Sequence, residues 1–197
     1  MAPRDPEQTR GRILEAAGRL FYRDGIRPVA MDAVAEMAGI TKRTLYYHFD
    51  SKDDLVIAYL RHTGERLDAS LAHAMSRRGG SAMDRLRGLF EDLEARFARE
   101  EFRGCPFVNA AAELTDSAPA RTEAATYKER MRAWFETMVR ELGARDPVAL
   151  SEQLAILLDG AIATWLVRRD PRAAARAREA ALVLIRSAIP TPTPTGT

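Results

Sequence analysis

The sequence of 197 residues has little of what most enzymes and secreted proteins need: one cysteine and three histidines. A single cysteine cannot form an internal disulfide, and proteins of the reducing cytoplasm typically lack disulfides. No second histidine or cysteine lies three or four residues from any of these histidines, so we expect no metal. No recognisable catalytic group of side chains is present either, so we expect neither a cofactor nor an enzyme.

The net charge is also small, and lysine is rare. The 30 lysines and arginines nearly balance the 28 aspartates and glutamates, for a formal net charge of +2, so bulk charge does not indicate a nucleic-acid-binding protein. Lysine occurs only at Lys42, Lys52 and Lys128. Nothing resembles a signal peptide or an apolar run of membrane-spanning length, so we expect a soluble cytoplasmic protein with no membrane contact.

Residues 25–55 carry the strongest pattern. A first short helix is predicted from about Met31 to Ala38, and Gly39 follows where the backbone must take a left-handed conformation. Thr41 is a natural N-cap for a second short helix. Leu45 and Phe49 lie four residues apart and are predicted to face inward. This spacing is typical of a helix-turn-helix, whose second helix enters the major groove of DNA.

The run MDAVAEMAGITKRTLYYHFDSKDDL, residues 31–55, resembles the DNA-binding domain of the tetracycline-repressor (TetR) family, and the resemblance covers about the first 60 residues. It implies an all-α fold of about nine helices. Residues 6–66 would form a three-helix DNA-binding domain of helix-turn-helix type, and residues 67–189 a C-terminal helical bundle for ligand binding and dimerisation. Residues 190–197, rich in proline and threonine, are predicted to be a disordered tail.

The resemblance also implies which side chains contact DNA. The expected base contacts come from Lys42, Arg43, Thr44 and Tyr46, and the expected phosphate contacts from Thr41, Tyr47, His48 and Lys52. Arg43 is the best candidate to bind a guanine, because its guanidinium can bond O6 and N7 together. The chain departs from the family at Ala30, where a hydroxyl residue is usual. A lost cap costs on the order of 1 kcal/mol, and we assign Ala30 no phosphate contact.

Residues 81–170 are expected to hold an effector pocket. Its candidate lining residues are Phe90, Phe97, Phe107, Asn109, Trp134, Met138 and Trp165. Each of these alone is more often a core residue, but together they suggest an apolar or aromatic ligand. Cys105 is either a redox-sensing thiol or, more commonly for a lone cysteine beside apolar residues, simply packed.

The last two predicted helices favour a homodimer. The segment LAILLDGAIATWLV, residues 154–167, has apolar residues nearly all round, so more than one of its faces must be covered. The expected interface residues are Leu154, Leu158, Ala161, Trp165, Ala177, Ala181 and Leu184. The alternative is that these residues only form the core of one chain.

These observations predict a ligand-responsive transcriptional regulator. It would repress by binding double-stranded DNA, at a palindromic operator, as a homodimer, and a small apolar or aromatic effector would release it. Activation stays open, because it depends on where the operator lies relative to a promoter. Two other classes remain as alternatives: an enzyme built on a helical body, and a protein-interaction module that kept the helix-turn-helix shape.

Overall fold

The computed structural model describes residues 5–78 and 80–190, without the side chains of residues 74–78. Within these residues it is all-α, as predicted, and contains nine helices and no strand. The helices are α1 (Pro6–Asp24), α2 (Met31–Met37), α3 (Lys42–His48), α4 (Lys52–Arg78), α5 (Ala82–Phe97), α6 (Pro106–Glu113), α7 (Ala118–Glu141), α8 (Pro147–Arg168) and α9 (Ala173–Ala188). The predicted disordered tail lies outside the described residues, except for Pro190.

Short polar side chains cap the starts of several helices. Asp5 accepts the backbone N–H of Glu7 ahead of α1, and Asp146 accepts that of Ala149 ahead of α8. Ser81 and Asp84 form a reciprocal capping box at α5. These bonds satisfy backbone donors that the first turn of a helix leaves unpaired.

The described residues group into two compact units. The first contains the chain up to Ala69 together with Cys105–Tyr127, and the second contains Ser70–Gly104 and the chain from Lys128 onwards. The units therefore divide α4 and α7, and the first unit includes α6. The domain boundary that we expected at residue 66 divides the chain into two consecutive segments, unlike these units, and it stays a prediction.

The first unit has a core built on α1. Ile13, Leu20 and Phe21 are buried, and the ring of Phe21 meets Tyr59 edge-on with centroids 5.4 Å apart. Phe107 and Tyr127 stack in the same unit with ring centroids 3.8 Å apart.

The second unit has an aromatic centre. Trp165 of α8 stacks on Phe97 at 5.3 Å between ring centroids and meets Phe102 edge-on at 5.0 Å. The Arg169 guanidinium lies 4.4 Å from the centroid of the Trp165 ring, a distance typical of cation–π contacts. Small residues of α9, such as Ala174 and Ala181, are fully or almost fully buried.

Helix α8 corrects one expectation. Its 22 residues include an 18-residue window of mean hydropathy 1.4, so by length and composition it could cross a membrane, although the sequence predicted no such run. The core helix of a soluble protein can show the same length and composition. One side of α8 does belong to the core, where Leu150, Leu154 and Leu158 are buried.

Gly104 should be a sensitive position in the second unit. Its φ is +90°, and a Cβ atom added there would lie 2.7 Å from Leu166 Cδ1. We expect Gly104→Ala to lower the free energy of unfolding by roughly 1–3 kcal/mol, through backbone strain and overpacking. Gly11→Ala is the matched control, because nothing lies within 4 Å of its added Cβ. Equal urea midpoints for the two variants would contradict this account.

Candidate nucleic-acid interface

The turn between α2 and α3 is a glycine C-cap. Gly39 has φ +63°, its N–H donates to the Glu36 carbonyl at 2.9 Å, and the Ile40 N–H donates to the Ala35 carbonyl at 3.0 Å. This pair of bonds is a Schellman motif, which ends a helix by a left-handed residue. It reverses the chain within a few residues and so brings α3 next to α2, as the sequence predicted.

Helix α3 is then started by Thr41. The Thr41 hydroxyl accepts the backbone N–H of Thr44 at 3.1 Å and lies 2.8 Å from the Thr44 hydroxyl. Leu45 is fully buried and Phe49 nearly so, which confirms the predicted inward side. The rest of α3 is therefore turned outward.

Arginines of α1 support this pair from behind. Arg12 donates to the Ala38 carbonyl at the end of α2, and Arg10 lies 5.1 Å from the centroid of the Phe49 ring. An arginine on a C-terminal carbonyl also complements the negative end of the helix dipole. Ala30 makes no side-chain bond to α2, so the missing cap is confirmed.

The outward side of α3 is basic and aromatic. Lys42, Arg43 and Tyr46 are exposed, and Tyr47 is 80% exposed. Tyr47 meets His48 edge-on with ring centroids 5.3 Å apart.

Lys42 has a partner that sequence reasoning missed. Its ammonium lies 2.9 Å from the Asp32 carboxylate, with both side chains more than half exposed. The hydrogen bond to Asp32 raises the pKa of Lys42, and the attraction of the two charges adds to the rise. Asp32 itself lies in the first turn of α2. No sequence pattern signals this pair, because its members are ten residues apart on different helices.

Lys52 lies at the start of α4 and is also engaged. Its Nζ donates to the Arg27 carbonyl at 2.9 Å, and partial burial lowers its pKa. One of the three N–H groups of the ammonium is thus used inside the protein, and two are left for another acceptor.

The expected pocket residues belong to both compact units. Phe107 and Asn109 lie in the first unit, and Phe90, Phe97, Trp134, Met138 and Trp165 lie in the second. Asn109 and Trp134 are partly buried, and the other five are buried. Cys105 is a buried free thiol, which favours its packed alternative. Among the described residues no group of three histidine, cysteine or acidic side chains could hold a metal.

The expected interface residues lie mainly inside one chain. Leu154, Leu158, Ala161, Trp165, Ala177 and Ala181 are buried in the core of the second unit, and Leu184 is partly buried against it. A different apolar stripe is exposed on α8 at helical spacing: Ile156, Gly160, Ala163 and Val167. Ile156 is 69% exposed and Val167 83%, and Val183 of α9 is 57% exposed.

Two family models match this chain. Residues 13–59 match the model of bacterial regulatory proteins of the tetR family. Residues 82–181, half of the chain, match the model of the tetracyclin repressor-like C-terminal domain. The first match contains the helix-turn-helix, and the second contains the exposed stripe of α8.

Two known transcriptional regulators match part of this chain. The transcriptional regulator TtgR of Pseudomonas putida is 39% identical over 64 residues, which are 32% of this chain and 30% of TtgR. The transcriptional activator FasR of Mycolicibacterium smegmatis is 37% identical over 73 residues, 37% of this chain and 32% of FasR. The chain thus matches about a third of the length of these relatives.

Solved structures match over nearly the whole chain. A TetR-family transcriptional regulator from Streptomyces coelicolor superposes with a TM-score of 0.83 at 29% identity, over 92% of this chain and 96% of its own. A proposed TetR-type regulator from Streptomyces avermitilis is 34% identical, with a TM-score of 0.79 over 91% and 97% of the two chains. With its helix-turn-helix and its C-terminal helices both matched, the chain belongs to the tetR family of DNA-binding transcriptional regulators, which are not enzymes.

Proposed function

We propose that this protein is a ligand-responsive repressor that binds a palindromic operator as a homodimer and is released by a small apolar or aromatic effector. The observation that carries the proposal is the outward side of α3, where Lys42, Arg43 and Tyr46 are exposed behind a buried Leu45. A short helix held in this way is suited to the major groove. Because DNA is the partner, the cytoplasm is the expected place of action.

Within this proposal the polar side chains of α3 and of its two flanks have two roles. Lys42, Arg43, Thr44 and Tyr46 contact base edges, and Thr41, Tyr47, His48 and Lys52 contact phosphates. Arg43 makes no hydrogen bond or ion pair with any residue that the structure describes, so its guanidinium can take guanine O6 and N7 together. Thr41 and Lys52 already hold α3 and the loop before α2. Their contribution therefore includes positioning as well as phosphate contact.

The homodimer is proposed to form through the exposed stripe of α8 together with Val183 of α9. An exposed apolar stripe of this kind indicates a protein–protein contact. Gly160 lies in the middle of the stripe with nothing within 4 Å of an added Cβ, so a partner helix could approach closely there. When both chains use the same face, the dimer has two-fold symmetry, which a palindromic operator requires.

The effector is proposed to be apolar or aromatic because the candidate lining residues are mostly aromatic and buried. It releases the operator only if it binds the DNA-incompetent state more tightly than the competent one. We propose repression, and not activation, as the direction of the effect on transcription. FasR, which is 37% identical to this chain over 73 residues, is an activator, so the direction is tested with a reporter gene behind the selected operator.

The first experiment is selection of the purified protein on random duplex DNA, followed by sequencing. An enriched inverted repeat supports DNA recognition and two-fold symmetry together. The protein is refolded free of small molecules beforehand, so that a bound effector cannot mask DNA binding. A folded, dimeric, ligand-free protein that enriches no sequence would rule the proposal out.

Arg43→Ala tests base recognition. We expect it to weaken operator binding by roughly 1–3 kcal/mol and to relax the sequence preference at one position of each half-site. Arg23→Ala is the matched control, because Arg23 is exposed on α1 and pairs only with its neighbour Asp24. Fluorescence anisotropy on a panel of operator variants measures both effects. An unchanged preference in Arg43→Ala would remove the role of Arg43.

Asp32→Asn tests the ion pair on the interface. The substitution frees Lys42 and removes a negative charge beside the DNA, so we expect tighter binding to both operator and random duplex. The affinity for both duplexes should also fall more steeply with salt than in the wild type, because salt screens the added net positive charge beside the phosphates. The control is Asp24→Asn, which removes an exposed paired carboxylate away from α3. Unchanged affinity and slope would show that Asp32 does not restrain Lys42.

Ile156→Glu tests the dimer face. Burying an unpaired glutamate charge in an apolar contact is unfavourable. We therefore expect light scattering to give the mass of the 21.9 kDa monomer, and we expect the variant to lose most of its operator affinity. Val108→Glu is the control, since Val108 is exposed on α6. A dimeric Ile156→Glu variant would place the interface elsewhere.

A further inference from the structure

The loop between α1 and α2 is the entry to the helix-turn-helix, and the uncapped Ala30 leaves it without the usual local anchor. A missing N-cap weakens the first turn of a helix. Helix α2 has only seven residues, so its start must be held by something else in the structure.

Glu113, the last residue of α6, provides that hold. Its Oε2 accepts the backbone N–H of Ile26 at 2.8 Å, and its Oε1 accepts the backbone N–H of Arg27. The residues are 87 and 86 positions apart in the chain. Gly25 permits this approach, because its φ is +90° and an added Cβ would lie 3.3 Å from Glu113 Oε1.

Arg27 strengthens the same contact from the other side. Its Nε donates to the Glu113 carbonyl at 2.7 Å, and its guanidinium lies 3.7 Å from the Asp116 carboxylate. Its carbonyl accepts from Lys52 at 2.9 Å. The loop is thus held between the end of α6 and the start of α4, all within the first unit.

The carboxylate of Glu113 is the member of this cluster with the greatest effect. Two hydrogen bonds to an ionised acceptor are stronger than bonds between neutral groups. The pair of Arg27 with Asp116 is long and exposed, and such pairs contribute little. Removal of the Glu113 charge should therefore release the loop, whereas loss of Asp116 should not.

We propose that Glu113 is a positioning residue for DNA binding. It holds residues 25–27, and through them the start of α2 and Lys52, in the arrangement that presents α3 to DNA. This inference rests on the proposed function. It also gives α6 a direct connection to the loop before the helix-turn-helix.

The test compares Glu113→Gln with Glu123→Gln in the full-length protein. Glu123 is a matched control, because its carboxylate pairs with Arg61 in the same unit at a separation of 62 residues. Hydrogen exchange of the Ile26 and Arg27 amides is measured first. We expect it to rise at least tenfold in Glu113→Gln and to stay unchanged in Glu123→Gln, while core amides of α1 are equal in both.

Operator affinity and sequence preference are then measured at a temperature where all variants are folded and dimeric. We expect Glu113→Gln to bind the operator about tenfold more weakly with an unchanged sequence preference, because the residue positions α3 and does not contact bases. Gly25→Ala, which keeps the carboxylate and pushes it from the loop, should change affinity in the same direction. Glu123→Gln should bind like the wild type.

Several results would overturn the inference. Affinity of Glu113→Gln within twofold of the wild type, or unchanged exchange at Ile26 and Arg27, would remove the positioning role. A changed sequence preference would make Glu113 a base-reading residue instead. A wild-type protein that binds no duplex at all would overturn the proposed function, and this inference with it. The two kinds of failure are distinguishable, because the wild type binds no duplex in this last case and binds the operator in the others.

Discussion

Burial of one side of two very short helices is the constraint on which the DNA-binding part depends. Helices α2 and α3 have seven residues each, well below the length at which an isolated helix is stable in water. They persist because Leu45, Phe49 and Val34 are buried and because Arg12 of α1 binds the carbonyl end of α2. The same burial turns the polar side of α3 outward, so the packing that stabilises the pair also exposes its binding side.

Charged side chains near this pair divide into those that are bonded within the protein and those that stay exposed. Arg12, Arg27 and Lys52 are bonded to backbone carbonyls, whereas Arg43 stays exposed. This division explains how a chain of net charge +2 can contain a DNA-binding surface. For DNA binding, the local charge on one exposed helix matters more than the total. The pair of Lys42 with Asp32 is intermediate, because both side chains are ion-paired and yet more than half exposed.

Much of the fold could be predicted from local sequence. The caps at Asp5, Ser81 and Asp146 and the glycine turn at Gly39 act within a few residues, so their positions are readable in order along the chain. The inward positions of α3 were also readable. The partners of Asp32 and Glu113 were not, since no spacing rule joins side chains 10 or 86 residues apart. Nor did periodicity show which apolar side of α8 the chain covers itself.

By itself the sequence determined the helices, their caps, the outward residues of α3 and the family, because each depends on short-range spacing or on a local motif. The tertiary structure alone decided which polar groups meet. It paired Lys42 with Asp32, brought Glu113 to the loop before α2 and buried Leu154 and Trp165, which left Ile156 and Val167 exposed. These outcomes depend on how distant helices pack, and side-chain contacts form only once that packing brings them within bonding distance.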